Sequence, residues 1–197
     1  MRLFIAVKLN EETKRAILTL QNSLKELSRG GNFTKEENLH ITLVFIGETE
    51  RGGERKIISA LDAVDSLPFT LTFSGLGSFG NLYWMGINKC RELDDIYGKL
   101  CHELANKGFP AEKREFTPHI TLVRQFVSPP GFNKINFASQ TPVITQKVEK
   151  ISLHLSTLET LRETWFALGF KKGAMIGKDA SDEEIKRCYL KIRGTAK

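Results

Sequence analysis

The chain has 197 residues, of which 41% are hydrophobic and 26% charged, with 29 Lys and Arg against 23 Asp and Glu for a formal net charge of +6. That length suits one generous domain or two small lobes sharing a core, and the balance is far from that of a disordered chain. No apolar run approaches the roughly 18 residues of a membrane span, and Cys90, Cys101 and Cys188 lack the spacing of a disulfide framework or a zinc site. A cytoplasmic, monomeric protein with no membrane attachment is expected, and its basic balance favours anionic partners such as nucleic acid or nucleotides. No Lys/Arg run is long enough to make a binding arm.

In chain order, residues 2–8 read as a strand, and residues 11–27 as a helix that sets Ala16, Ile17, Leu20, Leu24 and Leu27 on one face. Gly30-Gly31 breaks that helix, and residues 39–46 (LHITLVFI) then form a β-branched and aromatic strand. A second helix is predicted over 54–64, a strand over 69–73, a loop carrying Gly75, Gly77 and Gly80, a strand over 83–87 and a third helix over 93–104. Residues 119–127 (HITLVRQFV) and 148–155 read as strands, and residues 165–170 could supply the last one. Strands with a polar face, interspersed with helices, predict an α+β protein built on antiparallel sheets rather than a doubly wound parallel one. Beyond residue 177, Ser181 and Glu184 make a capping box ahead of Ile185, Tyr189 and Ile192, which predicts a short terminal helix.

The chemistry lies in a repeated tetrapeptide. His40-Ile41-Thr42-Leu43 recurs 79 residues later as His119-Ile120-Thr121-Leu122. In a strand, residues i and i+2 share a face, so each copy sets a His beside a Thr while Ile and Leu point to the core. A single strand histidine is most often a satisfied polar residue, but packing does not explain two identical polar pairs on apolar strands. An unpaired buried polar group costs about 1 to 3 kcal/mol. Two related lobes would bring the imidazoles together in one cleft. There they suit a phosphoryl reaction in which one proton is removed from an attacking oxygen and another is given to a leaving oxygen. The Thr hydroxyls can donate to non-bridging phosphate oxygens. A zinc site would need a third ligand, and none is well spaced; no GxSxG elbow supports a serine triad. Neither metal nor cofactor is expected. His102 and His154 have no Thr two places on and read as structural.

At these motifs the sequence resembles the 2H phosphoesterase superfamily and, within it, the RNA 2′,3′-cyclic phosphodiesterases once called 2′-5′ RNA ligases. The likeness covers roughly residues 1–170: the MRLFIAV opening, the ENLHITLVFIGE block, the GLGSFG segment leading to Trp84, and the FTPHITLVR block. It implies two pseudo-symmetric lobes, each an antiparallel sheet backed by helices, around a central cleft. The domain would span 1–173, with 174–197 as a C-terminal extension. It also implies metal-independent hydrolysis of RNA 2′,3′-cyclic phosphate ends to 2′-phosphates, with His40 as proton donor and His119 as acceptor. Two further residues carry over, each five places after a motif His: Phe45, where the family has a base-stacking aromatic, and Arg124, where it has a phosphate-contacting arginine. Both are odd steps from their histidines, so a bulge or an early strand end must re-aim them. For Phe45 a plain core position is the alternative. Phe33 stands where the family often has a Trp before the first motif, and Arg114 matches an arginine common shortly before the second motif, with a structural role as the alternative. The tail segment ASDEEIKRCYLKI is similar to the second helix of J-domain co-chaperones but lacks their His-Pro-Asp loop. Two alternatives to hydrolysis stand: an RNA-end binding module without turnover, and 2′-5′ RNA ligation by the reverse reaction.

Overall fold

The computed structural model describes residues 2–50, 52–65, 68–110, 115–139, 141–156 and 166–167. Strand β1 (Arg2–Lys8) leads into helix α1 (Glu11–Glu26). Asn10 caps α1 by accepting from the Thr13 N–H at 2.7 Å, with Glu11 and Glu12 at the positive end of the helix dipole. The helix buries Ile17, Leu20 and Leu24. Strands β2 (Gly30–Phe33) and β3 (His40–Glu48), helix α2 (Gly53–Asp62), strands β4 (Phe69–Phe79) and β5 (Leu82–Ile87), and helix α3 (Arg91–Asn106) follow. Strand β6 (His119–Val127), helix α4 (Lys134–Ser139), and strands β7 (Ile144–Val148), β8 (Ser152–Ser156) and β9 (Phe166–Ala167) complete the described elements. No helix of the described residues is long and apolar enough to cross a membrane.

Every strand pairing is antiparallel, in the order β7-β4-β5-β6-β3-β1-β8-β9, with β2 also beside β6. The fold is thus α+β with two related halves. Strand β1, a 16-residue α1 and a nine-residue β3 match β5, a 16-residue α3 and a nine-residue β6. The halves meet where Ile41 pairs with Ile120, at the N-terminal ends of β3 and β6. Beyond that point the edge of β6 is taken over by β2, from Phe33↔Val123 to Gly30↔Val127, so β3 and β6 diverge. The helices are exchanged: α1 follows β1 but packs on β2 and β7, whereas α3 follows β5 and packs on β3 and α2. One continuous core results, with Ile5, Leu24, Ile41, Leu71, Met85, Leu100 and Ile120 at its centre.

Three local readings of the sequence are corrected. The glycines at 75 and 77 do not form a loop; β4 runs on to Phe79, and only Gly80 lies in the turn. Gly75 is the extra residue of a bulge between Ser74↔Gly86 and Leu76↔Met85, at φ +72°, which glycine adopts without a Cβ clash. Gly77 faces Trp84 across the ladder, and a Cβ there would overlap the indole. The segment 148–155 is not one strand. Val148 ends β7, which pairs with β4, and Ser152 starts β8, which pairs with β1, so the chain changes halves in between. Strand β2 and helix α4 were not predicted. Strand β9 falls within the predicted 165–170 run; the terminal helix expected beyond residue 177 lies outside the described residues.

Candidate active site

The seam between the halves sets the chemistry. Ile41 and Ile120 form an antiparallel pair and are fully buried. One residue to either side, on the opposite face, this register puts His40 across from Thr121 and Thr42 across from His119. The two histidines are then diagonal neighbours, whose Cβ atoms stand roughly 7 Å apart in a regular pair. All four residues are half-buried. The repeat thus closes on itself about a local two-fold axis, each His meeting the Thr of the other copy.

Both strands bulge at the same place. Against β1, Ala6 pairs with Thr42 and Ile5 with Val44, leaving Leu43 extra; against β5, Trp84 pairs with Thr121 and Tyr83 with Val123, leaving Leu122 extra. Leu43 and Val44 are both buried, as are Leu122 and Val123, so each strand spends two consecutive side chains on the core. The phase shifts by one, and Phe45 and Arg124 emerge on the His/Thr face. Both line a cleft of about 760 Å³, together with Thr42, His119 and Thr121. Phe45 is half-buried there and Arg124 exposed.

Each imidazole is held from behind by backbone two residues upstream. His119 Nδ1 lies 2.7 Å from the Thr117 carbonyl, which can only accept, so Nδ1 carries the proton and Nε2 is left with a lone pair in the neutral ring. The His40 ring has a backbone hydrogen bond to Asn38. His40 rests against Phe4, with ring centroids 4.8 Å apart, and lies 6.0 Å from the ring of His154. Burial lowers the His40 pKa from 6.5 to about 4; the Asn38 bond opposes this, and the charges of Arg124 and His119 add to it. His154, 1% exposed and stacked on Phe4 at 4.9 Å, is pushed to about 3 by burial and then by His40 and Lys8. It belongs to the wall behind His40, a contact that spacing could not reveal because β8 and β3 lie on opposite sides of β1 and never pair. His102 is exposed on α3.

Phe33 sits on β2, partly buried against the core, with Lys25 Nζ 5.9 Å from its ring centroid. Arg114 lies outside the described residues. Among the described residues no three His, Cys, Asp or Glu side chains gather as a metal site would require.

The fold and the paired His/Thr strands define a phosphoesterase class, and the sequence agrees: the profile of the LigT-like phosphoesterases matches residues 7–83, including the first motif. The chain belongs to the LigT-like phosphoesterase family of the 2H superfamily. An RNA 2′,3′-cyclic phosphodiesterase of Thermotoga maritima is 32% identical over 168 residues, spanning 80% of this chain and 88% of that protein. Escherichia coli LigT complexed with 3′-AMP has the same fold, with a TM-score of 0.66 at 27% identity over 85% of this chain and 95% of that one. Its apo form gives a TM-score of 0.68 at 25% identity over 85% of this chain and 94% of that one.

Proposed function

We propose that the protein opens 2′,3′-cyclic phosphates at RNA ends to 2′-phosphomonoesters, with two imidazoles supplying both proton transfers and no metal required. The observation that carries this reading is the diagonal His40/His119 array across the Ile41–Ile120 pair, with a Thr opposite each His in the register. Water attacks phosphorus and gives its proton to Nε2 of His119, the basic nitrogen of the tautomer whose Nδ1–H donates to the Thr117 carbonyl. The P–O3′ bond breaks, and O3′ takes a proton from His40. Thr42 and Thr121 donate to the non-bridging oxygens, and Arg124 offsets charge that builds on the phosphate. Phe45 offers its ring to the terminal base.

The depressed pKa of His40 bears on its role as donor. Burial is the largest cause, and a further one, the Arg124 guanidinium, is a cation that a bound phosphate anion would oppose, so the substrate helps to protonate its own acid. The relatives named as RNA 2′,3′-cyclic phosphodiesterases support the substrate class.

The test is product analysis on an oligonucleotide ending in a 2′,3′-cyclic phosphate, with EDTA present. Turnover to a 2′-phosphate is expected, and His40→Ala and His119→Ala should each slow it by roughly 10²- to 10⁴-fold. An intact substrate, a 3′-phosphate product, or losses of only a few fold would overturn the assignment.

A further inference from the structure

Phe79 is a large apolar side chain left 51% exposed in the wall of the cleft. Its surroundings hold it there. One side of the ring meets Trp84, centroids 5.3 Å apart, and it stands edge-on to His119 at 5.4 Å and 79°. Trp84 lies over Gly77, where the missing side chain lets the indole settle against the strand, and also approaches His119 at 5.5 Å. The turn at Gly80, φ +59°, has the backbone a two-residue hairpin gives to glycine. That turn is anchored twice: Phe126 N–H on β6 donates to the Asn81 carbonyl at 2.9 Å, and Lys134 Nζ on α4 donates to Ser78 Oγ at 3.0 Å. An apolar ring serving only the core would be covered. This one is braced by Trp84 and His119 and still lines the cleft with about half of its surface open.

We propose that Phe79 is a second base-stacking platform, which takes the nucleotide preceding the one that carries the cyclic phosphate. This rests on the RNA-end reading of the same cleft and narrows it: the preferred substrates are RNA chains rather than cyclic mononucleotides. Phe45 lies on β3 and Phe79 at the tip of the β4–β5 hairpin, so two separate aromatic surfaces border one cleft. A mononucleotide has one base for them; an RNA end has two. Aromatic stacking tolerates any base, so this platform would select for chain length and not for sequence.

The experiment compares kcat/KM for adenosine 2′,3′-cyclic phosphate with that for a diadenosine dinucleotide bearing the same cyclic end. The dinucleotide should be preferred by roughly 5- to 150-fold, the range expected for one stacked base. Phe79→Ala should collapse that ratio towards one, and Phe79→Trp should keep it, with a thermal melt confirming that both variants fold. A wild-type ratio near one overturns the proposal. So does a Phe79→Ala variant that slows both substrates equally, because the ring would then serve His119 or the terminal base alone. If neither substrate turns over, the activity reading has failed by itself, and the platform is judged on binding. The affinity of wild type and Phe79→Ala for 2′-AMP and for the dinucleotide ending in a 2′-phosphate is then compared, and an unchanged affinity ratio rejects it.

Discussion

His40 is the residue whose chemistry depends most on what surrounds it. Its imidazole is buried against Phe4 and faces the Arg124 guanidinium, and in the free protein its pKa falls to about 4. An acid with that affinity would be poorly charged at neutral pH. An anion held beside Arg124 offsets that depressing charge, and by linkage the binding of that anion takes up a proton. The His40 ring resonances should therefore titrate with a midpoint near 4 in the free protein and move to higher pH when 2′-AMP is bound, as read by NMR. Arg124→Gln should raise the free midpoint, since it removes one depressing charge, and should blunt the shift caused by the nucleotide. A midpoint that stays fixed or falls on binding would show that no phosphate sits between these groups. Phe45 and Arg124 add a second residue-scale point: the repeats are identical from His to Val and first diverge here, a ring on one strand and a cation on the other. A pseudo-symmetric cleft thus becomes able to orient a substrate.

At the scale of elements, the bulges at Leu43 and Leu122 and the glycines of β4 do what regular strands cannot. Without the bulges the odd step from His to Phe45 or Arg124 would turn both side chains into the core; with them, two Leu-Val pairs are buried and the functional pair emerges. Gly77 plays the matching part beneath Trp84. Gly77→Ala should force the indole off β4 and destabilise the protein by about 1 to 3 kcal/mol in urea unfolding, the usual range for overpacking. An unchanged midpoint would mean that Trp84 is not seated there. These elements mark where the sequence could be read and where it could not. The three long helices were legible because their apolar residues follow the helical period, and the His strands because the tetrapeptide repeats on an alternating pattern. The odd spacing of Phe45 and Arg124 called for an irregularity without locating it. Strand β2 (Gly30–Phe33) had no apolar alternation to betray it; it exists because β6 offers an open edge where β3 departs. Gly75 and Gly77 read as loop because turn and bulge use the same residue, and the choice depends on the partner strand. The run 148–155 read as one strand because period two persists through a corner whose existence only the partners β4 and β1 determine.

For the molecule as a whole, that corner implies a closed form. Strands β7 and β8 stand on opposite sides of the sheet order, yet only Glu149, Lys150 and Ile151 separate them. An extended step from Val148 to Ser152 spans at most roughly 14 Å, so the sheet must curl until its distant strands approach. The halves are therefore joined twice, along the Ile41–Ile120 seam and again on the side where β7 meets the start of α1. Gln146 on β7, 5% exposed, makes the second join: it accepts from the Asn10 N–H at 3.0 Å and donates to the Lys8 carbonyl at 2.8 Å. Those two bonds reach across 136 and 138 residues of chain and hold the end of the strand that pairs with His40. Gln146→Ala would remove two partly buried hydrogen bonds, from the Asn10 N–H and to the Lys8 carbonyl, at about 0.5 to 1.5 kcal/mol for each. We expect a loss of about 1 to 3 kcal/mol in urea unfolding, against less than about 0.5 kcal/mol for Thr145→Ala on the exposed face of the same strand. Because Lys8 lies opposite His40, the Gln146 variant should also turn over cyclic phosphate more slowly at temperatures where it is still folded. Equal stabilities for the two variants would mean that the halves are held by the seam at Ile41 and Ile120 alone, and that the cleft does not depend on the far side of the sheet for its shape.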